Sequence, residues 1–248
     1  MSNERVLLLG VYGMEAVEAG GALALAVDAG GAAHVAIMLA REASRPQVAE
    51  AAKILGATVE FLDFEAGAVE ANREAKKVIV DVVRRFRPDI VITQDPEHSM
   101  EDLDPDRRQA MTVILEGIAL AGRDFAVDEL GGEPPHPIPT VYFMTPSRPN
   151  CTVDIGPAWD RKEAAMDALE SQMAFSGGHF AAMLDRDEAE RLVPGFTDLA
   201  TDQERGRAVH REIDRAVHLG HGIPAHGSVV FGEAYRRMGR FEFDRLLP

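Results

Sequence analysis

Residues 10–21 read GVYGMEAVEAGG, and they are the most informative stretch of the chain. An apolar run from Val6 to Leu9 precedes it and is typical of a buried strand, and an alanine-rich helical pattern begins near Gly20. A turn between a strand and a helix lies at the carboxyl end of that strand, where open α/β sheets bind their ligands. The sequence therefore predicts a functional site at this turn.

Strand and helix patterns alternate outward from this turn, which predicts a mostly parallel sheet flanked by helices. The predicted strands are 5–10, 33–39, 58–63, 89–93 and 140–144. The predicted helices are 20–29, 46–55, 68–86, 105–121 and 158–174. We expect one α/β domain over residues 1–248, with a Rossmann-like core in 1–145 and a C-terminal helical elaboration in 146–248. Residues 185–227 are predicted to form a charged helical excursion that ends in an irregular, turn-rich segment over 218–227.

Composition limits the partners and the compartment. The formal net charge of −15 disfavours nucleic acids and anionic membrane surfaces, because both are themselves negative. Cys151 is the only cysteine, which excludes an intrachain disulfide and fits a reducing compartment. No apolar run approaches the roughly 20 residues of a membrane-spanning helix, and the first residues do not resemble a signal peptide. We therefore expect a cytoplasmic protein with no nucleic-acid or membrane partner.

Several blocks of the chain together resemble the LmbE/PIG-L deacetylase superfamily. They are GALAL after Gly20, RPDIVIT over residues 87–93 and DPDRR over residues 104–108. The segment from Val153 to Gln172 and the closing block GEAYRR over residues 232–237 are similar to the 4-oxalomesaconate hydratase branch of that superfamily. The resemblance implies a Rossmann-like fold and an oligomeric enzyme, with zinc as the expected cofactor of the family.

The chain departs from the family at the zinc site. Aligning the two glycines at 20 and 21 puts Val11 at the first ligating histidine, Gly13 at the carboxylate base and Met14 at the ligating aspartate. The third ligand, a histidine in the family, falls on Arg107. Zinc needs nitrogen, oxygen or sulfur ligands of suitable charge, so we expect no cofactor at this position.

The remaining polar residues supply the candidate site. Glu42, His98 and Asp104 are predicted to carry out acid–base catalysis, since carboxylates and imidazoles move protons near neutral pH. The predicted substrate-binding residues are Tyr12, Glu15, Arg41, Arg107 and Arg108. Arg107 can hold a carboxylate in bidentate fashion, or it can pair with Asp104 or Asp106 at the start of its helix. Asp154 and Trp159 are interpreted as structural.

His218, His221 and His226 form the one local histidine cluster, and they are the fallback candidates for a relocated zinc site.

Three functional hypotheses follow. The first is a metal-independent hydratase, lyase or hydrolase that acts on a small carboxylated metabolite, in a homo-oligomer. The second is a non-catalytic or ligand-binding subunit that partners an active zinc-containing paralogue. The third is a zinc hydrolase or deacetylase with relocated ligands.

Overall fold

The computed structural model describes residues 3–225 and 228–239. Its centre is a seven-stranded sheet in the order β3-β2-β1-β4-β5-β7-β6. The strands are β1 (Arg5–Tyr12), β2 (Ala32–Leu39), β3 (Thr58–Phe61), β4 (Ile90–Gln94), β5 (Thr140–Met144), β6 (Cys151–Asp154) and β7 (Gly232–Gly239). The first five strands are parallel, and β7 runs antiparallel to both of its neighbours.

Helices cover both faces of the sheet. They are α1 (Glu15–Glu18), α2 (Gly20–Asp28), α3 (Arg45–Ile54), α4 (Arg73–Phe86), α5 (Pro96–Glu101), α6 (Pro105–Ala121), α7 (Trp159–Asp167), α8 (Glu170–Met183), α9 (Arg186–Leu192) and α10 (Asp202–Gly220). One core packs apolar residues of α2, α3 and α7 against the sheet, including Leu23, Val48 and Met166. The other core packs α4 and α6 against the opposite face, through Ile79 and Ile114.

The fold prediction is confirmed for the predicted parallel strands and for the helices between them, with small changes at their ends. β3 ends at Phe61 rather than at residue 63. α4 begins at Arg73 rather than at residue 68, because the side chain of Asn72 accepts a hydrogen bond from the main-chain nitrogen of Ala75 and so caps the helix there.

The C-terminal part differs more from the prediction. The helix predicted over 158–174 is two helices, α7 and α8, which are separated at Ala168 and Leu169. The segment over 218–227 was predicted to be irregular throughout, but α10 continues to Gly220 and therefore includes His218. His226 lies outside the described residues. The strands β6 and β7 were not predicted, and they extend the sheet beyond β5.

A third, smaller core joins α9 and α10 through Ala189, Val193, Phe196 and Val209. This packing confirms a helical elaboration after the core sheet. In the described part of the chain, no helix combines the length and the apolar character needed to cross a lipid bilayer.

Candidate functional site

The candidate site lies where β1 and β4 end. The strand order reverses between these neighbours, since β2 and β3 continue on the far side of β1 and β5 continues on the far side of β4. Such a reversal opens a crevice beyond the carboxyl ends of the strands, where ligands of open α/β sheets bind. Tyr12 ends β1, Gln94 ends β4, and Asp95 follows directly.

Arg107, in the first turn of α6, supplies a positive charge to this crevice. Its Nη1 donates hydrogen bonds to Oε1 of Glu15 at 2.8 Å and to Oε1 of Gln94 at 2.5 Å. Its Nε lies 2.9 Å from Oδ2 of Asp102, in an ion pair that lacks hydrogen-bond alignment. Its guanidinium carbon lies 5.0 Å from the centre of the Tyr12 ring. The guanidinium therefore does not pair with Asp104 or Asp106, which was the alternative interpretation.

Glu15 is buried, with 2% of the residue exposed. Its Oε2 accepts a hydrogen bond from the main-chain nitrogen of Val11 at 2.8 Å, and Oε1 accepts one from that of Tyr12 at 3.4 Å. Burial raises the pKa of Glu15 to about 7, although the charge of Arg107 opposes the increase. The Glu15–Arg107 pair therefore changes charge close to neutral pH.

Asp104 precedes α6 and caps it. Its Oδ1 accepts hydrogen bonds from the main-chain nitrogens of Asp106 and Arg107, and Oδ2 accepts one from the hydroxyl of Tyr12 at 2.6 Å. Burial disfavours ionisation of Asp104, but these hydrogen bonds hold its pKa below the usual value. A carboxylate with a lowered pKa and three donors fits a capping role better than the predicted catalytic role.

A cavity of about 90 Å³ lies between α10 and the ends of β5 and β7. Its polar lining comes from Glu18, Thr145, His218, His221, Glu233 and Tyr235, and its apolar lining from Met144, Pro146, Val217 and Ala234. Thr145 directly follows β5 and has a φ of 48°, which is a strained conformation for a β-branched residue. Strained residues of this kind cluster at functional sites.

Glu18 belongs to the cavity and is influenced by the Arg107 cluster, which consists of Arg107 and its partners Tyr12, Glu15, Gln94 and Asp102. It lines the cavity, and the charge of Arg107 acts on its carboxyl group. Burial raises the pKa of Glu18, and the charges of Lys162, Arg107 and His98 oppose the increase. A cavity carboxyl group with a raised pKa has the properties of a general acid or base.

A buried ion pair lies next to the main chain of Glu18. Nζ of Lys162 lies 2.9 Å from Oε1 of Glu233, and both side chains are less than 5% exposed. Oε2 of Glu233 accepts a hydrogen bond from the hydroxyl of Tyr235 at 2.7 Å. Burial disfavours ionisation of Glu233, but Lys162 and these bonds hold its pKa below the usual value.

Asp95 and Arg236 join β7 to the end of β4. Nε and Nη2 of Arg236 donate to the two carboxylate oxygens of Asp95 at 2.7 and 2.8 Å, which is a bidentate pair. Asp95 also caps α5 by accepting a hydrogen bond from the main-chain nitrogen of Glu97.

The structure places the other four predicted site residues, which are Arg41, Glu42, His98 and Arg108, in different surroundings. Arg41 and Glu42 are exposed next to or within the one-turn helix Glu42–Ser44, and neither side chain joins the hydrogen bonds or ion pairs of the Arg107 cluster. The burial that would make Glu42 a proton carrier is therefore missing. His98 is exposed on α5, and its charge acts on Glu18 and Asp95. Nη1 of Arg108 donates to the main-chain oxygen of Asp102 at 2.5 Å.

His218 and His221 both line the cavity. Nδ1 of His218 bonds to the main-chain oxygen of Gly232 at 3.0 Å, and burial lowers the pKa of this histidine to about 4. His218 is therefore neutral at pH 7. Within residues 3–225 and 228–239, no group of three histidine, cysteine, aspartate or glutamate side chains is arranged to hold a metal ion.

The residues present do not fit zinc at the position that the resemblance implies. Val11 is fully buried and belongs to an apolar core, and Met14 packs against the other core. Arg107 brings a positive charge, which repels a cation.

The family is shown by comparison with known proteins. The model of the PIG-L family, described as GlcNAc-PI de-N-acetylase, matches residues 15–107. The 4-oxalmesaconate hydratase of Pseudomonas putida is 30% identical over 184 residues, which are 62% of this chain and 68% of that enzyme. This chain belongs to the PIG-L family. Diacetylchitobiose deacetylase of Thermococcus kodakarensis is 37% identical over 124 residues, which are 49% of this PIG-L chain and 46% of that relative. The match thus spans about half of the deacetylase.

Solved structures of PIG-L relatives share the fold. The N,N'-diacetylchitobiose deacetylase of Pyrococcus horikoshii superposes with a TM-score of 0.69 at 19% identity, over 95% of this chain and 84% of that chain. The 4-carboxy-2-hydroxymuconate hydratase of Pseudomonas putida KT2440 gives a TM-score of 0.65 at 23% identity, over 98% and 99% of the two chains.

Glu18, Lys162 and Glu233 are not among the site residues that the sequence predicts. The sequence gives only a weak indication that Glu18 belongs to a site: it is a charged residue among alanine, valine and glycine within residues 10–21. Lys162 and Glu233 are 71 residues apart, so their spacing does not reveal that they pair.

Proposed function

We propose that this PIG-L family chain is an enzyme of hydratase, lyase or hydrolase type that acts on a small carboxylated metabolite without a metal ion. The observation that carries the proposal is the position of Glu18. This residue lines the cavity, and the positive charge of Arg107 acts on its carboxyl group. A proton-exchanging carboxyl group and a fixed cation are two of the groups that acid–base chemistry next to a carboxylate requires.

Arg107 is the proposed anchor for the substrate carboxylate. Its side chain retains 16% exposure, and its hydrogen-bond partner Glu15 has a pKa of about 7. When Glu15 is protonated, its hold on the guanidinium weakens and a substrate carboxylate can take its place. The small size of the cavity favours a small molecule.

Glu18 is the proposed proton carrier, with His98 as a second one. Glu18 accepts a proton from a water molecule or from a carbon next to the substrate carboxylate, and it returns that proton later in the cycle. The raised pKa of Glu18 supports the first step, because a higher pKa makes the carboxylate a stronger base.

Turnover of unsaturated and hydroxylated di- and tricarboxylates, followed by ultraviolet absorbance, tests this function. With the substrate in hand, Glu18→Gln is expected to lower kcat by about 100-fold or more, while the exposed control Glu101→Gln leaves it unchanged. Arg107→Ala is expected to abolish substrate binding while the chain stays folded, and Arg148→Ala is the matched control. Unchanged substrate affinity in Arg107→Ala would rule out the anchoring role.

A second candidate function is a non-catalytic subunit. One observation favours it: Glu15, Gln94 and Asp102 already surround the guanidinium of Arg107, so this cation has partners without a substrate. An active zinc-containing paralogue that co-purifies with this chain would support this second function.

A further inference from the structure

Lys162 is a buried lysine whose contacts converge on the turn that carries Glu18. The lysine lies on α7, and its side chain is 3% exposed. Its Nζ donates hydrogen bonds to the main-chain oxygens of Val17 at 2.6 Å and Glu18 at 2.5 Å, and to Oε1 of Glu233 at 2.9 Å. An ammonium group has three donors, and all three are used.

Two of these acceptors end the helix α1. Val17 and Glu18 are its last two residues, and the final carbonyls of a helix lack partners within the helix. Lys162 supplies these carbonyls with a donor from a different element. The main chain at Glu18 is therefore fixed by a contact that reaches across 144 residues of sequence.

The third acceptor ties the same turn to β7. Besides Lys162, the carboxylate of Glu233 accepts hydrogen bonds from the main-chain nitrogens of Gly21 at 3.1 Å and Ala22 at 2.8 Å. The Lys162–Glu233 pair thus holds the end of α1 and the start of α2 on either side of Glu18.

The charge of Lys162 also acts on Glu18 itself. Burial raises the pKa of Glu18, and Lys162 is the strongest of the charges that oppose this effect. Asp214 on α10 acts in the opposite direction to Lys162. The other titratable or charged groups around Glu18 and its cavity, among the described residues, are Glu15, His98, Arg107, His218, His221, Glu233 and Tyr235.

We propose that Lys162 is the positioning residue of this pocket: it holds the turn that carries Glu18 through hydrogen bonds to the main-chain oxygens of Val17 and Glu18, and it keeps a buried positive charge next to that turn. A buried ion pair with only a structural role can often be replaced by apolar residues of similar volume without loss of stability. A site that requires a positive charge at this position explains why a lysine, rather than an apolar residue, is buried there. The proposal rests on the proposed function of Glu18.

The test is a titration of the Glu18 carboxyl group in the intact chain by ¹³C NMR, with the signal assigned by its loss in Glu18→Gln. Lys162→Met and Lys162→Gln remove the charge, and Gln retains a donor that can support folding. Both are expected to raise the pKa of Glu18 by about one pH unit or more. Lys162→Arg keeps the charge and is expected to restore a value close to that of the unmodified chain. Lys53→Met, on the surface of α3, is the control and leaves the titration unchanged.

An unchanged pKa of Glu18 in a folded Lys162→Met or Lys162→Gln chain would overturn the proposal. The same increase in Lys162→Arg would overturn it too, and so would failure of all three variants to fold, since either result assigns Lys162 a structural role alone. The titration needs no substrate, so it succeeds or fails separately from the proposed function. If Lys162 controls the pKa but Glu18→Gln retains full turnover, the proposed function fails and the positioning contact stands.

Discussion

Glu15 links the charge of the site to the stability of the chain. Its carboxyl group titrates near 4.5 in an unfolded chain and near 7 in the folded one. Between these pH values the folded state retains a proton that the unfolded state has lost, so the free energy of unfolding falls as the pH rises. The full effect is on the order of 3 kcal/mol.

Glu15→Gln is expected to remove this part of the pH dependence. Urea unfolding at pH 5 and pH 8 measures this contribution. The decrease in the free energy of unfolding from pH 5 to pH 8 is expected to be smaller in the variant than in the unmodified chain. Other groups that titrate in this range contribute equally to both proteins. An identical difference in the two proteins would contradict the raised pKa of Glu15.

Sequence predicts residues of the crevice better than it predicts their contacts. Arg107, Glu15 and Tyr12 lie together where β1 and β4 end, and their role in binding a substrate stays a prediction. The partners of Arg107 were not predictable, because Glu15 and Gln94 are brought to it by strands and helices far apart in the chain. Glu42 is exposed and lacks the burial that its predicted catalytic role requires, because a position after a strand does not guarantee burial.

At the scale of elements, α6 depends on Asp104. Asp104→Ala removes the acceptor for two main-chain donors and for the Tyr12 hydroxyl, and it is expected to lower the free energy of unfolding by about 1–2 kcal/mol. Asp104→Asn keeps a capping oxygen and is expected to stay within about 0.5 kcal/mol of the unmodified chain.

Denaturant unfolding and turnover of both Asp104 variants separate capping from catalysis. If Asp104→Asn is fully stable but has lost turnover, the predicted catalytic role of Asp104 is restored and the capping interpretation is insufficient.

The start of α2 depends on the absence of a side chain at Gly21. A Cβ there would lie 2.5 Å from Cγ2 of Ile155 and 3.0 Å from Oε1 of Glu233. Gly21→Ala is expected to lower the free energy of unfolding by about 1–3 kcal/mol, because the neighbours have to move. Gly220→Ala is the control, since a Cβ at the end of α10 has no neighbour within 4 Å. Equal stability of the two variants, measured by urea unfolding, would contradict the close packing at Gly21.

Strands and helices with a clear hydrophobic pattern could be predicted from the sequence. Elements that form because of contacts with distant parts of the chain could not. The parallel strands follow from short apolar runs. By contrast, β7 carries charged residues in its GEAYRR block, and it becomes a strand because β5 and β6 pair with it on either side. The break between α7 and α8 could not be predicted, because residues 158–174 contain no proline or glycine that would mark the end of a helix.

The molecule as a whole has the fold of the PIG-L family, and Arg107 lies in the crevice at the ends of β1 and β4. The reversal of strand order places β1 and β4 side by side, and α6 then brings Arg107 to their ends. We infer that a guanidinium group takes the place that the resemblance assigns to a metal ligand. The substrate does not follow from the fold, because relatives with this architecture include both hydratases and deacetylases.

The most direct test of a metal-free site is the zinc content of the purified chain, prepared without chelators or metal-affinity resin and measured by mass spectrometry of the elements. We predict far less than one zinc ion per chain, because Val11, Met14 and Arg107 cannot hold one. One zinc ion per chain would contradict the central claim and would direct attention to the relocated site at His218, His221 and His226.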